Sequence, residues 1–327
     1  MTKIDRCVRV ALLVCASLAA QAAEPVLVPR IDGQWWLVAG DPDLGKFTTP
    51  KQAPVDFSIW QAADGTWQLW SCVRNTACGG KTRLFHGWQG AKLTDKDWRP
   101  KGIVWQGDPN FGEAEGGVQS PHVTKLGEEY YLSYGDWENI CLARSFDGKT
   151  FARWLMPNGK SAMFTDGPHT RDPMLMRIGN RYYMYTTMGG TGAWLKDHAT
   201  ANPKQLGAHY VRTSADLRKW SGAKQIAFGG VAGTVANSAE CPFVYFHKGS
   251  GYYYLFRTQH YGENATLHVY RSKDPTYFGV NDDSNLVSTL PYAASEIIEY
   301  EGQTYIAALL SSLKGIQVAK LKWVPKQ

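Results

Sequence analysis

Three acidic residues each stand at the head of a short strand-like pattern: Asp56 in Val-Asp-Phe-Ser-Ile, Asp172 in Arg-Asp-Pro-Met-Leu and Glu240 in Glu-Cys-Pro-Phe-Val. Carboxyl groups gathered in one pocket can divide acid and base work, since a protonated one donates while an ionised one attacks or activates water. A third can tune the acid, because like charges at close range push pKa values apart. Taken singly, Asp-Pro and Glu-Cys-Pro are also turns whose carboxylates cap backbone amides. A shared position in a repeat favours the chemical reading. Aligning Pro121, Pro173 and Pro242 puts Ser120, Asp172 and Cys241 in one column, which Asp56 joins when Phe57 is matched to the prolines. Glu240 falls one residue earlier, where a longer side chain at a non-strand backbone would have to redirect it.

The elements that must position these heads can be read from the repeat. An aromatic strand follows at similar distance in five places: Trp67 to Trp70, Tyr130 to Tyr134, Tyr182 to Tyr185, Tyr252 to Phe256 and Tyr305 to Leu309. The next strand ends in Ser-x-Asp-x-x-x-aromatic three times, as Ser145/Asp147/Phe151, Ser214/Asp216/Trp220 and Ser272/Asp274/Phe278. A looser version lies around Asp95 to Trp98, and the last copy ends at Lys322-Trp323. The period is roughly 50 to 70 residues, longer than common propeller repeats and leaving room for loops. Alternating runs such as Tyr-Tyr-Leu-Ser-Tyr read as strands, and helical periodicity is scarce. The expectation is an all-β chain folded as a single five-bladed β-propeller over residues 24–327, with the heads meeting on its axis.

With 327 residues, 44% of them hydrophobic, the chain can bury the core of one large all-β domain. Residues 1–23 are set apart: Lys3, Arg6 and Arg9 precede an apolar run from Val10 to Ala20, and Ala20-Gln21-Ala22 has the small-x-small form that a signal peptidase reads. That predicts export to the periplasm or medium, with no stable membrane insertion once the signal is cleaved. Four cysteines remain beyond it. Cys72 and Cys78 flank a turn that could join them, while Cys141 and Cys241 read as buried thiols. No paired Cys-x-x-Cys or His-x-x-x-His spacing suggests zinc, so no metal ligand is assigned. The net charge of +6 comes from scattered Lys and Arg, which argues against a nucleic-acid partner.

The head motifs resemble those of known glycosidases. Arg171-Asp172-Pro173 and Glu240-Cys241-Pro242 look like the Arg-Asp-Pro and Glu-Cys-Pro signatures of glycoside hydrolase family 32. Asp56-Phe-Ser-Ile and Gln119-Ser-Pro-His-Val look like the Asp-Pro-Ser-Ile and Trp-Ala-Pro-Asp motifs of family 43. The resemblance runs from about residue 50 to the C-terminus and is to the five-bladed propeller superfamily that both families share. It implies cleavage of O-glycosidic bonds in plant or algal oligo- or polysaccharides of arabinose, xylose, galactose or fructose type. It also implies Glu240 as general acid, Asp172 as the stabiliser that orients or tunes it, Asp56 as nucleophile or general base, and Arg171 on a sugar hydroxyl. The Trp-Met-Asn-Asp-Pro-Asn motif of family 32 is absent, as is room for its C-terminal β-sandwich, which points toward family 43. No cofactor is required on this reading, although family 43 relatives can hold an axial ion such as Ca or Na beside a histidine.

Further residues could line such a pocket. His122, His169 and His260 lie near heads or strand ends, and satisfied core or turn histidines are the plainer reading. Trp60, Trp137 and Trp194, read as loop or strand-head residues, are candidate platforms for a sugar ring. Glu113 and Glu115 belong to a Gly-rich loop that reads as solvated, and Glu296 sits near the column of heads. Two other classes share these features: a propeller that binds carbohydrate without cleaving it, and a sialidase-like enzyme suggested by Ser145-Phe-Asp-Gly-Lys-Thr-Phe151, which is close to an Asp-box.

Overall fold

The computed structural model describes residues 25–167, 169–189, 207–235 and 238–327. The expected signal stretch and Trp194 lie outside the described residues. The strands form five sheets, each with its first strand nearest a common axis, and the inner strands touch in cyclic order. Those inner strands are Ala53–Gln61, Gln119–Leu126, Arg171–Ile178, Glu240–His247 and Glu296–Tyr300. The expected five-bladed propeller is therefore what the chain forms.

Each aromatic segment read from the sequence is the second strand of a blade: Trp67–Arg74, Glu129–Gly135, Arg181–Met188, Tyr252–His260 and Gln303–Leu309. Their large side chains fill the space between blades. Tyr130, Tyr134, Tyr185, Tyr254 and Phe256 are all buried. The Ser-x-Asp turns follow the third strands. Asp147 Oδ1 accepts from the Lys149 and Thr150 amides at 2.7 and 2.8 Å, and Asp216 Oδ1 accepts from Arg218 and Lys219 at 2.8 Å each. These carboxylates are engaged in closing turns, and the Asp-box likeness is met by that structural work.

One element was not read from the sequence. Leu27–Gly40 pairs antiparallel with Gly315–Pro325, from Leu27 opposite Pro325 to Gly40 opposite Gly315, and so forms the outer strand of the fifth blade. The ring is thereby closed by hydrogen bonds between the two ends of the described chain.

Trp60 corrects an expectation. It sits within the first inner strand, not in a loop, and its ring packs edge-on against Trp70 and Phe151 while its Nε1 donates to the Gly148 carbonyl at 2.7 Å. Only 6% of it is exposed, so it offers no face to a sugar. Trp60→Ala should lower unfolding free energy by about 3 to 5 kcal/mol in denaturant titration, the range for large-to-small changes in a core. Unchanged stability with weakened saccharide binding would restore the platform role.

Candidate active site

At the head of every inner strand one non-glycine residue has a left-handed backbone: Asp56 (φ 39°), Ser120 (46°), Asp172 (54°), Cys241 (46°) and Ala294 (51°). This conformation costs roughly 1 kcal/mol or more for a residue with a Cβ, and here it recurs at equivalent places. In four blades it falls in a β-bulge, with register slips between Val55 and Phe57, Gln119 and His122, Arg171 and Met174, and Glu240 and Phe243. The extra residue breaks the alternation of the pleat and lets the head face the axis. Pro121, Pro173 and Pro242 follow at the bulge, where an absent N–H interrupts the ladder least.

The column that the sequence suggested is a hydrogen-bonded cluster. Ser120 Oγ lies 2.6 Å from Asp172 Oδ1 and 3.0 Å from Asp56 Oδ2. A single hydroxyl proton serves one of them at a time, and the shorter contact is to Asp172. Asp172 Oδ2 also accepts from the Cys241 amide at 3.0 Å and lies 3.6 Å from Arg171 Nε, so this carboxylate is held on several sides. Asp56 Oδ1 accepts from the Tyr261 hydroxyl at 2.9 Å and from the Cys241 thiol at 3.0 Å. Burial and the surrounding carboxylates raise the Cys241 thiol well above its usual range, which keeps it a donor.

Glu240 is out of this column because it belongs to the neighbouring one. It occupies the position of Gln119 and Arg171, one residue before the left-handed heads, and pairs with Thr258 on the N-terminal side of the bulge. Arg171 meets it with both prongs of its fork, Nε to Oε2 at 3.1 Å and Nη2 to Oε1 at 2.7 Å. The Glu240 side chain is 13% exposed. Burial pushes its carboxyl up to about 7; Arg171 pulls it down, while Asp172 and Asp56 push it further up. It therefore stands near half-protonated at neutral pH, with a cation in place to stabilise the carboxylate left after proton donation.

The sugar-hydroxyl role expected for Arg171 is corrected by these bonds. Its guanidinium is buried and committed to Glu240, to the Gly189 carbonyl at 2.7 Å and to the His169 carbonyl at 3.1 Å. His169 lies between Arg171 and Gln119, with Nδ1 3.4 Å from Arg171 Nη1 and Nε2 2.9 Å from the Gln119 amide. Because Arg171 can only donate, Nδ1 accepts and Nε2 carries the proton, which assigns the Gln119 amide the flipped orientation, with its unpartnered oxygen in place of Nε2 toward the ring.

Beneath the heads the axis narrows. His122, Met174, Phe243 and Glu296 lie two residues below their blade heads and, with the heads themselves, line a small axial cavity of about 30 Å³. Glu296 Oε2 accepts from the Ile59 amide at 2.9 Å, and burial pushes its carboxyl up to about 8, so it is protonated at neutral pH. His122 is held neutral by burial, which lowers it to about 3. It lies at the axis, two residues below Ser120, in the cavity that Asp56 and Asp172 also line.

The remaining candidates separate. Trp137 is in the loop before Ile140, half-buried, its ring already contacted by His169, Lys81 and Arg83. His260 is exposed at the end of a second strand. Glu113 is not solvated: Arg153 holds both its oxygens at 2.8 and 2.9 Å, and Tyr134 donates at 2.6 Å. Glu115 is exposed. All four cysteines among the described residues are free; Cys72 reaches inward to the Val118 carbonyl while Cys78 caps its own turn. Tyr261 was missed, and its one signal is its place just past the second strand of blade four, where the chain returns to the mouth.

An axial Ca or Na ion finds no fitting donor set among the described residues. Asp56, Asp172 and Cys241 have ligand atoms within 4.8 Å of one another, but a thiol is a soft donor poorly matched to these hard cations, and two carboxylates fall short of the roughly six to eight oxygens that Ca²⁺ takes. His122 shares its cavity with the apolar Met174 and Phe243 and with the oxygen-bearing Asp56, Ser120, Asp172 and Glu296.

Glu296 yields a prediction. Its folded carboxyl is raised from 4.5 to about 8, so its contribution to stability is complete below about 4.5 and is lost as pH rises through about 8. The melting temperature of Glu296→Gln relative to wild type should therefore climb from acid to alkaline pH. Taking the difference cancels the buried histidines, which act in the opposite direction. A flat difference would show that Glu296 is ionised at neutral pH.

No family model matches the chain, and none of the curated proteins does. Among solved structures the fold is similar to that of RS223-β-xylosidase (TM-score 0.58, 14% identity, covering 84% of this chain and 94% of that one). It is likewise similar to the GH43_1 enzyme from Xanthomonas citri complexed with xylose (0.57, 16%, 87% and 90%). A third is an exo-1,5-α-L-arabinanase from a bovine ruminal metagenomic library (0.57, 17%, 82% and 92%). At these identities the likeness is one of fold, a five-bladed propeller spanning nearly the whole of each relative.

Proposed function

We propose that this protein is a glycoside hydrolase in which Glu240 is the general acid, Asp172 its fixed anionic neighbour, and Asp56 the nucleophile or the base that activates water. The observation that carries the reading is Glu240, raised to about 7 and joined through Arg171 to a cluster with two further carboxylates. Glycosidic cleavage needs that combination: a carboxylic acid for the leaving oxygen and a carboxylate for the sugar carbon. The fold relatives include xylosidases, arabinanases and a xylanase, which supports a pentose-containing plant or algal oligo- or polysaccharide as substrate. The N-terminal pattern supports an exported enzyme that meets its substrate outside the cytoplasm.

The division of labour follows from the contacts. Asp172, tied to Ser120, the Cys241 amide and Arg171, is too constrained to attack and instead sets the field around Glu240. Asp56 is aimed by Tyr261 and Cys241 through one oxygen, while its other oxygen faces the hydroxyl whose proton Asp172 draws. Glu240→Gln should reduce turnover on xylo- or arabino-oligosaccharides by roughly 10²- to 10⁴-fold while the variant still folds, as judged by circular dichroism. The wild-type rate should fall as pH rises through about 7, as Glu240 loses its proton. Activity retained in the variant would remove Glu240 from the mechanism, and saccharide binding without sugar release by wild type would leave a binding propeller.

A further inference from the structure

Two cations stand beside the acidic pocket without a carboxylate partner. Lys81 and Arg83 project from the loop between the second and third strands of blade one, and their charged ends lie 5.0 and 5.2 Å from the Trp137 ring centroid. Among the described residues neither forms an ion pair, whereas Arg153, Arg171 and Arg212 each do. They are within reach of the site. The Trp137 ring is 4.7 Å from that of His169, which touches Arg171, which in turn grips Glu240.

The frame is rigid. The Lys81 and Arg83 amides donate to the Glu115 and Gly116 carbonyls at 2.9 Å each, and the two loops approach so closely that a Cβ on Gly80 would lie 2.0 Å from the Glu115 carbonyl oxygen. Trp137 itself has φ 89°, a costly conformation for a bulky residue that persists only where its surroundings fix it. Asp136 does so by accepting from the Glu138 and Asn139 amides at 3.0 and 2.7 Å. A strained tryptophan and two cations that lack a carboxylate thus meet at one spot, with Arg83 also beside the Cys72 thiol.

We propose that Lys81 and Arg83, floored by Trp137, form a subsite for a sugar residue bearing a carboxylate, next to the sugar cleaved at Glu240. The fork of Arg83 and the point charge of Lys81 suit the two oxygens of one carboxylate. The anion belongs in this adjoining place because Asp56, Asp172 and Glu240 would repel it from the cleavage position itself. The substrate class is thus a glycan with uronosyl residues, an assignment that rests on the glycosidase reading.

Calorimetric titration of Glu240→Gln with xylotriose, glucuronosyl-substituted xylotriose and trigalacturonate tests it without relying on turnover. At least one uronate should bind roughly tenfold more tightly than xylotriose at low salt, with the advantage shrinking as salt is added. Adding Lys81→Met and Arg83→Gln should abolish that advantage and leave xylotriose affinity unchanged. Equal affinity for neutral and acidic probes, or an advantage that survives the loss of both cations, would overturn the proposal. Failure of the glycosidase reading is seen separately, as wild type that releases no sugar while the uronate preference stands.

Discussion

The site depends on one backbone constraint repeated around the axis: a left-handed residue at the head of each inner strand. A regular strand would alternate its side chains between the two faces of its sheet. At the heads the bulge suspends that alternation, and Asp56, Ser120, Asp172, Cys241 and Ala294 face one another across the centre. Each position is costly for a residue with a Cβ, and the tight packing of second strands and interblade aromatics holds it in place. The same element that secures the ring thus aims the carboxylates.

Within the pocket, two electrostatic effects compete and burial wins. A carboxylate gripped by a guanidinium would ordinarily be ionised well below neutrality. Here Arg171 faces two acids and is itself buried, and the cost of removing Glu240 from water exceeds what a shared cation returns. Asp147 and Asp216 show the contrast: at exposed turns they accept several amide hydrogen bonds and are held below the usual range. Residues of one chemical type thus serve as turn caps at the rim and as a tuned set at the axis.

Much of this was legible in the sequence, for physical reasons. Blade number and the column of heads show because each repeat must solve the same packing problem, so aromatic strands, turns and prolines return in order. The one-residue offset of Glu240 was legible but its pairing was not: its partner Arg171 lies on another blade, and no local pattern marks a pairing across blades. Tyr261 and Glu113 act through contacts that loops make in three dimensions, Tyr261 with Asp56 and Glu113 with Arg153. Trp60 reads as a loop residue only until the strand Ala53–Gln61 extends through it. The closing strand Leu27–Gly40 lacks the head-and-turn grammar because it completes a blade begun at the other end of the chain.

The central claim is that burial holds Glu240 protonated up to neutral pH despite its arginine. Difference infrared spectroscopy across a pH titration reads this directly, with Glu240→Gln identifying the signal. The account predicts a protonated carboxyl band, absent from the variant, that disappears with a midpoint of about 7. A Glu240 band that has already vanished by the ordinary glutamate range, about 4.3, would show that Arg171 prevails and would contradict the account.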